Sequence, residues 1–379
     1  RTGIAVDPRA VRAFDKAGVE PQVNTTALVR GGYTEAEVAE ALKATQHSIT
    51  SIAVSLRKSG VDAAAVVQAL ADNKLFAGDL AKELRAQRAS YDDIAAALKA
   101  TGYPIVKIAR GLKYAGADTR ARAVALTRVG ASTTELIAIL RHQKVGNAEL
   151  GRALFALKLS GPDAVRRMLE AGLDWTTIVG ALRGAGLGID QVAKHAKANG
   201  ADASKLVAAL VANQLTTRDA TFALRSAGYG WPDVAIGLHA SGMSPVDVAK
   251  ALKTSGAKSE EILAGIRKLP VEKLEPASVF RGAGYSATAI AQTLQAGEFS
   301  MDKIAGALGR AGFTSTDVAR ALVAIHQTKP QIAAALKAAG GDPGDHARGL
   351  RALGASRDEV AVIMKNVGYD RVFVARGLK

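Results

Sequence analysis

The chain has no cysteine among its 379 residues. That excludes a disulfide framework and any thiolate metal site, and it leaves the redox compartment unreadable. Aromatic residues are only 4% of the total, so an interior must be built from Ala, Leu, Val and Ile. Such an interior suits short, closely packed helices. No apolar run approaches the roughly 20 residues that span a bilayer, so no membrane span is expected. No secretory leader pattern is visible at the start. His47, His142, His195, His239, His326 and His346 occupy unrelated positions, and none forms an HExxH pattern or a close metal-ligand cluster. Acids recur where helix starts explain them, and no paired-carboxylate arrangement stands out. Gly184-Ala185-Gly186-Leu187-Gly188 lacks the preceding strand and the full spacing of a phosphate loop. No enzyme activity, cofactor or small-molecule substrate is therefore expected, and nothing in the composition fixes a compartment.

What is present is repetition. Val38-Ala39-Glu40-Ala41-Leu42 reappears as Ile52 to Leu56, Ile94 to Leu98, Ile108 to Leu112, Val248 to Leu252, Ile304 to Leu308 and Val374 to Leu378. The final Leu of each falls in one 14-residue frame, which can be followed from Phe14 to Leu378 without insertion or deletion. Of its 27 positions 21 are Leu, and the rest are Phe14, Met168, Ala196, Ile266, Phe280 and Met364. A fixed period of this kind is the signature of a repeat array.

Each unit reads as one short helix. Apolar residues four and three positions before the frame residue form a stripe with it on one helical face. Eight positions before it stands Ser, Thr or Asp in 18 of 26 units, the types that accept bonds from orphan N–H groups at a helix start. Thr34/Glu37, Ser90/Asp93, Ser132/Glu135, Ser244/Asp247, Thr314/Asp317 and Ser356/Glu359 add an acid three residues on, as in a capping box. Four positions after the frame residue Gly is common, suited to a left-handed helix stop.

Counting units from zero at Phe14, that stop is Gly in 11 of 13 odd units and 6 of 13 even ones. Aromatics one position later favour odd units: Tyr33, Tyr229, Tyr285, Phe313 and Tyr369, against Tyr103 and Phe299. Two kinds of turn alternate. The expected fold is all-α: an α-solenoid of about 27 short helices, paired as 28-residue hairpins in two layers. A single array over residues 1–379 is expected, with a local bend near 266–280 at Pro270 and Pro276, and a weaker departure at Gly161-Pro162. The sequence stops inside a unit at Lys379, so a continuing array or a frayed end is expected.

The pattern Val-Ala-x-Ala-Leu-Lys-x-x-Gly, with its Ser or Thr cap, resembles bacterial helical-repeat proteins over nearly the whole chain. The architecture is similar to HEAT-type repeats and to TAL-effector-like DNA-binding repeats. The latter are longer and carry a paired base-reading position in a loop, and no such pair recurs here.

The net charge is +15. The residue after the frame position is Lys or Arg in 16 of 27 units, in 10 of 13 odd units and 6 of 14 even ones. The odd set is Arg57, Arg85, Lys113, Arg141, Lys197, Arg225, Lys253, Arg281, Lys337 and Lys365. Lys82, Arg110, Lys194 and Lys250 add a second base three residues earlier. A cation in the last helical turn complements the helix dipole, which alone would enrich both layers equally. The bias toward one layer instead suggests a row of charge along a face, spaced by roughly 8–10 Å between packed helices.

Two functions follow as expectations. One is an elongated, non-enzymatic scaffold binding protein partners or itself. The other is a protein binding nucleic acid or another polyanion through the odd-layer bases, mostly at phosphates and therefore salt-sensitive.

Overall fold

The computed structural model describes residues 6–71 and 76–370, with 372 and 374. The chain divides into two compact units, 1–188 and 189–379. The described residues of the first form α1 (Pro8–Lys16), α2 (Pro21–Arg30), α3 (Glu35–Ala44), α4 (Ile49–Lys58), α5 (Ala63–Ala71), α6 (Ala77–Ala86), α7 (Tyr91–Ala100), α8 (Ile105–Tyr114), α9 (Thr119–Arg128), α10 (Thr133–His142), α11 (Asn147–Ala156), α12 (Gly161–Glu170) and α13 (Trp175–Gly184). Those of the second form α14 (Ile189–Ala198), α15 (Ala203–Ala212), α16 (Thr217–Ser226), α17 (Trp231–Ala240), α18 (Pro245–Thr254), α19 (Ser259–Arg267), α20 (Pro276–Gly282), α21 (Ala287–Ala296), α22 (Met301–Arg310), α23 (Ser315–Ala324), α24 (Lys329–Ala339), α25 (Pro343–Arg351) and α26 (Arg357–Asn366). The twenty-seventh sequence unit, around Leu378, lies outside the described residues.

The helices begin where caps place them. Thr34, Ser90 and Thr314 each accept from the N–H three residues on, and Glu37, Asp93 and Asp317 return a carboxylate to the cap N–H. Thr216 and Asp219 make a further box of this kind. Ser132, Ser244 and Ser356 cap with the side chain, without the return bond to the cap N–H. The helices end in a double turn: in α16 the Tyr229 N–H reaches back to Leu224 O (3.0 Å) and the Gly228 N–H to Arg225 O (2.9 Å). This Schellman closure needs a left-handed residue four positions after the frame residue. The position stays left-handed even where it is Gln46, Arg88, Lys144, Lys158, Gln214, Glu298 or His326. The turn geometry is thus imposed by the repeat, at a cost of about 1–2 kcal/mol wherever the residue has a Cβ.

A ten-residue helix is marginal alone, so packing supplies its stability. Within each unit most helices pack on a sequence neighbour and on a next-but-one neighbour, which builds the two layers of an α-solenoid. Odd units of the 14-residue frame supply the even-numbered helices. In α7, Ile94, Ala95 and Leu98 have no exposed surface, and this stripe recurs along the array. Burying a Leu or Ile contributes about 1.5–3 kcal/mol. Small residues set the spacing. A Cβ at Gly151 of α11 would overlap the Ala181 carbonyl of α13, and one at Gly111 of α8 would stand 2.8 Å from the Ala77 carbonyl of α6.

Three units carry a polar residue at the core position four before the frame residue. These are Asn24, Arg122 and His346, 1%, 5% and 4% exposed. The Asn24 side-chain amide finds no hydrogen-bond partner among the described residues. Arg122 donates to Gln143 and to Thr119 Oγ1. His346 Nδ1 lies 2.8 Å from the Tyr369 hydroxyl.

Pro162 falls in the first turn of α12 behind the Ser160 cap, so that helix is regular. Near Pro270 and Pro276 the repeat is interrupted. α19 ends at Arg267, residues 268–275 are irregular, and α20 has only seven residues.

Candidate polyanion-binding surface

The base after the frame residue sits in the last helical turn, and in the second unit most of these bases are committed to the fold. Lys197 of α14 donates to Gly228 O, just beyond α16, at 2.7 Å, while its ammonium stands 4.7 Å from the centre of the Tyr229 ring. Tyr229 reciprocates, its hydroxyl donating to Ala201 O at the end of α14. Burial, with Asp202 and Asp233 nearby, pushes that phenol up to about 12, so it remains a donor.

The contact recurs along the layer. Lys253 of α18 reaches Gly284 O (3.3 Å) and Tyr285 (4.0 Å), both beyond α20. Arg281 of α20 donates to Ala311 O and lies 4.9 Å from Phe313, beyond α22. Lys337 of α24 donates to Gly368 O (2.7 Å) and lies 5.5 Å from Tyr369, beyond α26. In the other layer Arg267 of α19 makes the same pair with Gly297 O (3.1 Å) and Phe299 (4.5 Å). Each cation therefore meets the negative end of the next helix of its layer and the face of that helix's turn aromatic. The base and the ring are 32 residues apart in every case, as in Lys197 and Tyr229. The contact links base and turn aromatic at Lys197, Lys253, Arg281 and Lys337 of the odd units, a signal visible in the sequence only as a correlated pair.

Other predicted bases are also occupied. Arg57 and Arg85 donate to Val61 O and Ala89 O in their own closing turns, both at 3.0 Å, and Arg225 does so to Tyr229 O. Arg85 and Arg225 also lie over Tyr91 and Trp231, at 4.4 and 4.3 Å. Arg141 donates to Asn147 Oδ1 at 3.0 Å. Lys194 pairs with Asp190 at 3.7 Å and Lys250 with Asp247 at 3.8 Å, both exposed pairs of small energetic weight. Lys365, near the end of α26, is exposed.

The remaining three predicted bases, Lys82, Arg110 and Lys113, converge. They line an open groove of about 600 Å³ on the even-numbered layer of the first unit, together with Tyr114, His142, Gln143 and Lys144. The groove exists because α8 and α10 make little contact, although α6 packs closely on α8 and α9 packs on both α7 and α11. Behind the groove Arg122 occupies a core position usually held by Ile, Val or Leu, and its guanidinium donates to Gln143. Burial lowers the Arg122 pKa from its ordinary value, opposed by the charges of Glu149 and Asp118. A second depression adjoins the first over the start of α6, lined by Phe76, Asp79, Lys82, Lys107, Arg110 and Tyr114. Lys107 and Lys144 were not among the bases predicted from the frame, because neither follows a frame residue or stands three residues before a base that does.

Among the described residues no group of His, Cys, Asp and Glu is placed to hold a metal ion. None of the described helices is long and apolar enough to cross a membrane. The chain matches no known family model and no curated protein.

Proposed function

We propose that this protein is a non-enzymatic repeat scaffold that holds a macromolecular partner on its solenoid surface. The observation that carries this reading is the division of labour in each helix. One stripe is spent on neighbouring helices, as in α7, while residues such as Ala96 and Lys99 on the same helix are left to solvent. Sedimentation velocity over a wide concentration range tests the self-assembling form. A defined oligomer or filament supports it, and a monomer throughout removes it and leaves a partner of different chemistry.

A second reading, binding of a polyanion, is favoured by a specific observation. The groove between α8 and α10 gathers Lys82, Arg110, Lys113 and Lys144, which pair with no carboxylate among the described residues. Like charges brought together repel, and a bound anion relieves that repulsion. Fluorescence-anisotropy titration with nucleic acids at low and physiological salt tests it. Binding that survives physiological salt and is lost in Arg110→Glu and Lys113→Glu, with Lys99→Glu and Arg351→Glu much less affected, supports a specific face. Equal losses from all four would remove it.

A further inference from the structure

We propose that the groove on α6, α8 and α10 is a site for single-stranded nucleic acid, with phosphates held by Lys82, Arg110, Lys113 and Lys144 and a base stacked on Tyr114. The proposal rests on the polyanion reading above and names its ligand. Three observations carry it.

The first is charge that the fold does not use. The side chains of Lys107, Arg110, Lys113 and Lys144 make no hydrogen bond or ion pair among the described residues, and the Lys82 ammonium stands 5.5 Å from the centre of the Tyr114 ring. In the second unit the equivalent positions are filled by Lys194 and Lys250, each beside a carboxylate, and by Lys197 and Lys253, each on a carbonyl. Among the described residues Asp79 is the one acid lining the groove and its adjoining depression.

The second is an aromatic surface among those charges. Tyr114 is 58% exposed and Phe76 77% exposed, in a chain that has few aromatic residues and turns several of them inward as turn locks. A ring left open between cations is the arrangement on which bases of a single strand stack while its backbone is neutralised. A duplex keeps its bases stacked on one another and would use the cations alone, and so would an acidic peptide.

The third is shape. The opening between α8 and α10 is an open groove lined by Tyr114 at the end of α8 and by Lys144, the left-handed residue that closes α10. A groove of about 600 Å³ admits a flexible strand of a few nucleotides more readily than a rigid duplex, and single-strand sites span about 4–16 nucleotides.

The experiment uses the full chain and labelled oligonucleotides of about 12 nucleotides, as a base-bearing single strand, an abasic strand of the same length and a duplex, with poly-glutamate as competitor. Binding is read by anisotropy at physiological salt. The base-bearing strand is expected to bind best. Tyr114→Ala is expected to weaken it about 5- to 100-fold while leaving the abasic strand unchanged, and Tyr114→Phe is expected to retain affinity. Arg110→Glu and Lys113→Glu are expected to weaken both strands, and Lys205→Glu on α15 neither. All these side chains are exposed, and unchanged thermal midpoints confirm that the variants fold. If strand, abasic strand and duplex bind alike and Tyr114→Ala changes nothing, the stacking site is overturned while polyanion binding stands. Poly-glutamate competing as well as the strand turns the site toward an acidic protein. No binding to any probe overturns both readings.

Discussion

The even-numbered layer is built differently in the two units. In residues 189–370 its helices are tied by a cation that reaches forward to the carbonyl end and turn aromatic of the next helix, as Lys197 does to Gly228 and Tyr229. In residues 6–188 no described cation makes that complete pair. In the odd-numbered layer Arg12 of α1 and Arg152 of α11 reach Ala44 O (3.4 Å) and Gly184 O (3.1 Å), without an accompanying ring. There the layer relies on close backbone contact, between α6 and α8, and opens where α8 meets α10. The same residue type at the same repeat position is thus structural in one unit and unsatisfied in the other. A base is informative about function only after the helix end beside it has been accounted for.

The comparison can be broken most forcefully in the first unit. Gly151→Ala would drive a Cβ into the Ala181 carbonyl, and overpacking against backbone should cost about 3 kcal/mol or more, read by chemical denaturation. Little loss would mean that α11 and α13 can separate cheaply. In the second unit, Tyr229→Ala should cost about 3 kcal/mol through lost burial. A double-mutant cycle with Lys197→Ala should return a coupling of about 0.5–2 kcal/mol. Strict additivity would show that cation and ring are merely adjacent. Asn24→Val, at a buried position with no partner, should stabilise the first unit by about 1–2 kcal/mol.

His346 gives a pH counterpart in the second unit. Burial lowers its pKa below the ordinary value of 6.5, although Asp342 and a bond with Gly340 oppose the shift. The unfolded chain therefore takes up the proton first. The stabilising contribution is fully present above pH 6.5 and is lost as pH falls through the folded-state value. Denaturation midpoints of His346→Val should lose this component of the acid sensitivity between neutral and mildly acidic pH. Identical pH profiles for variant and parent would assign the sensitivity elsewhere. The smallest effect sharpens the rule itself. Ala89→Tyr in the first unit places a ring 32 residues after Arg57 and should stabilise by about 0.5 kcal/mol. Destabilisation would mean that the spacing alone does not make the lock.

Much of the fold was legible because it follows from local chemistry repeated in frame. Ser90 with Asp93, the apolar stripe ending at Leu98 and the stop at Gly102 specify a helix and both its ends without reference to the rest of the chain. Left-handed Lys144 and Gln214 were not legible, since neither residue type asks for that backbone and the repeat imposes it. The candidate site was legible only in part. Lys82, Arg110 and Lys113 stand out by position, but they share that pattern with Lys250 and Lys253, which the fold consumes. What separates the two sets is the gap between α8 and α10 and the tie that Arg122 makes to Gln143. Both depend on how neighbouring helices meet, and no single unit encodes them.

The forward contact from each cation to the turn of the next helix in its layer also bears on how such an array can change length. Removing one 14-residue unit between Lys197 and Tyr229 would leave the ammonium facing a turn of the opposite layer, whereas excising two adjacent units restores the register of the flanking helices. The heritable increment of the second unit is therefore the helix pair. Duplications and losses that survive there should come in multiples of 28 residues, even though the frame visible in the sequence is half that length.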